Sequence, residues 1–218
     1  MNDETVFARD VAVPRERSVA GVFGWVMGLV AISIGFVGIG AWVGRDLSHG
    51  AALALSLAGF GMLMVTSFAG QRFRVGSFAI GWLFATAAVI GLGIGPMIAY
   101  YTSVDQAAVV QAAIGTACTV LVMGAVGMLM AKDLAPLMRP LSIVMIVVFG
   151  GIMIWTIFAG SISPVFAVVI YGLSAFALVV DFNYLRKHGT EDDAVLLATG
   201  IFVAIVNIFL SLLNLFGR

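Results

Sequence analysis

The stretch LVVDFNYLRKHGTEDDAVLLATGIFVAIVNIFLSLLNLFG, residues 178–217, decides the fold. It closes with an apolar run from about residue 194 to about residue 216, long enough to cross the hydrocarbon core of a bilayer as one helix. On such a helix Gly200, Ala204, Asn207, Ser211 and Asn214 recur at spacings of four, three, four and three. That period places them in one small and polar stripe on an otherwise apolar surface. Lipid tails offer Asn207 no hydrogen-bond partner, so the stripe is expected to face protein or water. Two readings fit it: close packing with hydrogen bonds between helices, or the lining of a pathway.

The loop ahead of this run, HGTEDD, offers Thr190 as an N-cap. Glu191, Asp192 and Asp193 then sit at the positive end of the helix dipole, with weak attraction of cations as the alternative role. One turn and a half before Arg186 lies Asp181, the charged residue inside the apolar segments that most needs explaining. At about 1.5 Å per residue it stands roughly 7–8 Å inside the helix end. Helical spacing groups it with Tyr171, Ser174 and Leu178 on a face expected to point into a bundle. It is either a functional carboxylate, able to make a transient contact with a cation, or an interfacial acid held by a nearby arginine.

Working outward, the whole chain has the same character. Its 218 residues are 62% hydrophobic and 10% charged, and the formal net charge is zero. Soluble domains carry about 25% charged residues, so a water-exposed fold is excluded and the lipid bilayer becomes the expected solvent. Seven segments are long and apolar enough to span: about 20–43, 51–70, 76–98, 107–130, 140–159, 164–185 and 194–216. This predicts an all-α integral membrane protein, with residues 1–18 as a polar cytosolic tail and 19–218 as a seven-helix membrane domain. With the N-terminus in the cytosol, Arg9, Arg15, Arg17, Arg72, Arg74, Lys132, Arg139, Arg186 and Lys187 share that side, against Arg45 and Arg218 on the other. The bias follows the positive-inside rule and requires an odd number of spans, which puts the C-terminus on the opposite side.

The remaining signals are bland. Gly24 and Gly28, and Gly40 and Gly44, have the spacing that lets helices approach closely, and packing within the bundle is favoured over a dimer face. Cys118 is the single cysteine, so an intramolecular disulfide is impossible, and it is expected as a small packing residue. His49 and His188 fall in loops on opposite sides, with no spacing that suggests a bound metal. GLGIGP lies inside a span and lacks the context of a phosphate loop. No nucleophile has a base at helical spacing, so an enzyme is not expected, nor a resident cofactor. The zero net charge points to no nucleic acid.

Three stretches resemble the Bax inhibitor-1 family of membrane proteins, which includes the bacterial YccA-like branch. They are GLGIGPMIAYY, MGAVGMLMAKDLAPLMRPL, and the closing stretch quoted above, whose order of Asp, basic loop, acidic helix start and Asn-hydrophobic-Phe is the most specific. The resemblance covers roughly residues 20–217. It implies seven transmembrane helices, six surrounding a central C-terminal seventh, in a membrane that for this branch is the bacterial inner membrane. It also implies a pH-sensitive calcium leak, with calcium as permeant ion, or alternatively the binding and regulation of a membrane protease or another membrane complex. In the leak model two aspartates share a proton near the cytosolic mouth and a basic residue after the second helix latches the closed state. By position Asp181 matches the first aspartate, and Arg72 or Arg74 falls near the latch. The second aspartate's place is taken by Ala204, so the paired sensor cannot work as in the family pattern, and proton control is expected to be altered.

Overall fold

The structure is a computed structural model describing residues 19–68, 70–159 and 163–217. The expected tail at 1–18, with Arg9, Arg15 and Arg17, and also Arg218, lie outside the described residues. Seven helices follow one another: α1 (Val19–Gly44), α2 (His49–Phe68), α3 (Ser77–Val104), α4 (Gln106–Leu129), α5 (Met138–Ala159), α6 (Pro164–His188) and α7 (Ala194–Phe216). All seven carry a window apolar and long enough to cross a membrane. The boundaries match the seven apolar runs to within a few residues, except that α3 continues past Pro96 to Val104. Nothing after Pro96 breaks the helix until Asp105, whose carboxylate accepts the Ala108 N–H and starts α4. α6 runs on to His188, because Arg186, Lys187 and His188 occupy a last turn where positive charge suits the helix dipole.

Close contacts fix the directions. Ser56 and Gly59 of α2 meet Gly93 and Ile90 of α3, so these helices are antiparallel. Val37 and Ala41 of α1 meet Gly91 and Gly95 of α3, so α1 and α3 are parallel. Thr119 of α4 meets Tyr171 of α6, and Gly127 meets Phe182, so that pair is also parallel. The end of α7 at Gly217 meets Tyr101 near the end of α3. The chain therefore passes up and down in strict alternation, as short connections demand.

α7 is the central helix. Leu197, Ile201, Phe202, Ala204, Ile208 and Leu213 are fully buried along it. It packs chiefly on α6, α4 and α1 and touches α3, while α2 joins through α3 and α5 leans on α6. α5 has almost no buried residue, and Trp42, Leu121, Ile143, Val147 and Phe158 are exposed on the outer surface. Apolar exposure on this scale fits a lipid surround and no other solvent.

Glycine makes the α1–α3 seam. A β-carbon on Gly40 would stand 2.5 Å from the Ala88 carbonyl oxygen, and one on Gly44 2.5 Å from that of Leu92. Any side chain there would push two backbones apart, so this pair packs the bundle as expected. Gly24 and Gly28 differ: nothing lies within 4 Å of their β-positions. Cys118 also departs from expectation, since it is exposed on the outer side of α4 and does not pack inside.

Candidate functional site

Asp181 points at α7. A β-carbon on Gly200 would stand 2.8 Å from Asp181 Oδ2 and 3.4 Å from its Cγ. Only glycine leaves room for the carboxylate between the two helices. The face shared with Leu178 and Leu185, both buried, turns inward as the helical spacing requires. Gly200 is therefore on the side of α7 turned to α6, and helical period puts Ala204, Asn207, Ser211 and Asn214 on the same side of α7. Ala204 is buried one turn beyond Gly200, about 6 Å along the axis. Side chains lean toward the start of their own helix, so position 204 and Asp181 lean toward one another across the antiparallel seam.

The two arginines proposed as latch are occupied elsewhere. Arg74 donates from Nε to the Thr66 carbonyl at 3.2 Å and from Nη2 to that of Ser67, closing the end of α2. Carbonyls at a helix end lack partners within the helix, and a guanidinium supplies them. Arg72 is exposed and its guanidinium lies 4.9 Å over the Phe78 ring. Neither is joined to Asp181 by an ion pair or hydrogen bond among the described residues. Phe73 meets Phe78 and Trp82 edge-on beside them, Phe78 stacks on Trp82, and Trp82 Nε1 donates to Thr66 Oγ1 at 3.1 Å. The α2–α3 turn is thus a stitched corner in its own right.

A second cluster, which the sequence did not reveal, sits beside the seam. Asn183 is fully buried two residues after Asp181. Its Oδ1 accepts the Leu134 N–H at 2.9 Å, and its Nδ2 donates among the carbonyls of Gly127, Met130 and Lys132 at 3.1–3.2 Å. Arg186 Nη2 donates to the Met130 carbonyl at 2.7 Å and Lys187 Nζ to that of Ala131. His188 Nε2 pairs with Asp133 Oδ2 at 2.8 Å. The last turn of α6 therefore holds the end of α4 and the chain that follows it. Asp133 also accepts the Ala135 N–H, which together with His188 holds its carboxyl below the usual carboxylate range.

Thr190 is not the N-cap of α7. Asp193 takes that position, and its Oδ2 accepts from Thr190 Oγ1 at 2.6 Å. The acid reaches back to tie the loop, so it serves the turn more than the helix start.

No group of three His, Cys, Asp or Glu residues gathers among the described residues. Calcium takes six to eight oxygens. A lone carboxylate against glycine therefore falls well short of a resident calcium site.

Seven alternating apolar helices, the last of them largely buried, with an acid set into the α6–α7 seam, define a multi-pass integral membrane protein. The chain belongs to the Bax inhibitor family: the family model described as "Inhibitor of apoptosis-promoting Bax1" matches residues 18–218. It is also similar to a protein of Pseudomonas aeruginosa (strain PAO1) described as "Uncharacterized protein PA2604". The two are 23% identical over 220 residues, covering 98% of this chain and 96% of that one.

Proposed function

We propose that this protein is a cation leak of the Bax inhibitor type, with calcium as the permeant ion and Asp181 as its acidic station. The observation that carries the reading is the Asp181 carboxylate lodged against Gly200 of the central helix. Charge inside a span is costly and is kept where a pathway or a partner uses it. With Ala204 in place of a second acid, proton control differs from that of a two-aspartate sensor. The Lys and Arg distribution and the bacterial relative support an inner-membrane location with the N-terminus cytosolic. The reading assigns no catalytic step and no resident cofactor. Because Arg72 and Arg74 have other partners in this conformation, a latch role would require the α2–α3 corner to open.

The test is calcium release from proteoliposomes of the purified protein, compared with protein-free vesicles. Release above background is expected, and Ala204→Asp should make it vary more steeply from about pH 6 to about pH 8. No release above background would reject conduction. A second reading, a regulator bound to a membrane protease or similar complex, is favoured by the polar segment 1–18 ahead of α1. Deleting residues 2–18 separates the two: partners recovered by pull-down are lost under this reading, while calcium release persists under the first.

A further inference from the structure

The seam between α6 and α7 holds a second polar level. The helices are antiparallel and Asp181 faces Gly200. Two turns, seven residues, back along α6 is Ser174; seven residues onward along α7 is Asn207. A seven-residue step returns to nearly the same side of each helix, so by helical period Ser174 and Asn207 fall on the two sides of this seam, about 10 Å deeper than Asp181.

Both carry a buried polar atom without a partner. Ser174 is fully buried, and its Oγ makes no hydrogen bond. Asn207 Nδ2 is likewise sealed and unbonded. Among the other buried hydroxyls of the bundle only Ser211 shares this lack of a hydrogen bond to its own helix, and most bond one turn back. Ser33 donates to the Leu29 carbonyl, Thr66 to Met62, Thr86 to Trp82, Thr116 to Ala112 and Thr199 to Val195, each one turn back on its own helix. Ser174 does not do this with Ile170, so its buried hydroxyl is left without the partner the others find on their own helix.

Buried polar atoms are almost always hydrogen-bonded, through protein or through ordered water. Two of them on facing helices at one level, neither bonded to its neighbour, need a bridging group with both donor and acceptor capacity. We propose that Ser174 and Asn207 bind an ordered water molecule in the α6–α7 seam, two helical turns from Asp181. A hydroxyl that donates and accepts, and an amide that donates, give a water the two or more partners it needs. The site lies about 15 Å along α6 from its start at Pro164, too deep for a lipid headgroup. It requires only the seam and does not depend on conduction. It gives the middle of the span a polar position that the apolar residues around it lack.

The test is an experimental structure in lipid nanodiscs at a resolution that shows ordered water, for the wild type and for Ser174→Ala. Density within about 2.7–3.2 Å of both Ser174 Oγ and the Asn207 amide is expected in the wild type and not in the variant. Ser174 bonded to the Ile170 carbonyl, or directly to Asn207, overturns the proposal. A double-mutant cycle with Ser174→Ala and Asn207→Ala gives a second readout. The two effects on the unfolding equilibrium should depart from multiplicative by more than about threefold if a water links them. Multiplicative effects overturn it even where density is ambiguous, and the wild-type density decides if a variant fails to fold.

Discussion

Asn183→Ala should be among the most damaging single changes in the bundle. The side chain has two amide protons and one carbonyl, and here all are used within protein. Three such bonds at about 0.6–1 kcal/mol each, the range for membrane and soluble proteins, come to about 2–3 kcal/mol. The Leu134 N–H would then be left without a partner in a residue only 5% exposed, adding about 1 kcal/mol. A total of about 3–4 kcal/mol shifts the folding equilibrium by roughly one hundred to several hundredfold. The assay is reversible unfolding of the purified protein in mixed micelles. Ser142→Ala is the reference, since that exposed hydroxyl only donates to its own helix at Met138 and should matter by less than about 0.5 kcal/mol. If Asn183→Ala proves as mild as Ser142→Ala, the clamp on the α4 end is not what holds these elements together.

Gly200→Ala should cost about 1–2 kcal/mol, because the new methyl group meets the Asp181 carboxylate at 2.8 Å. Adding Asp181→Ala should recover most of that loss, and a double-mutant cycle of unfolding measures the coupling; additive losses would mean the two residues do not touch. At the α4–α5 turn, the Ala135 N–H and then His188 favour ionised Asp133 in the fold. Its contribution to stability is therefore complete above the ordinary value of 3.8 and fades as pH falls through the lower folded value. Thermal unfolding followed from about pH 5 to about pH 3 should show a steeper acid loss for the wild type than for Asp133→Asn.

The spans were legible because apolar runs of this length have one stable solution in lipid, and the alternation of helices followed from short connections. The inward face of Asp181 was legible too, since it is a statement about helical period. What stayed hidden were contacts with backbone carbonyls. Asn183 and Arg74 bond to helix ends, and a carbonyl has no sequence signature, so Arg74 read as a free cation available to Asp181. A polar residue buried two positions past an intramembrane acid, beside a helix with no capping glycine of its own, was the one available hint. Gly24 and Gly28 show the same limit from another side. Their spacing equals that of Gly40 and Gly44, yet only the latter pair meets a neighbour, because spacing tells that two helices could approach and not which face does.

The claim on which the functional account turns is that the acid against Gly200 carries the cation past the innermost seam. Calcium release from proteoliposomes, measured for the wild type and Asp181→Ala at matched protein content, addresses it most directly. The account predicts that the substitution brings release down to the level of protein-free vesicles while the protein remains folded. Release that continues undiminished in the Asp181→Ala variant would contradict it.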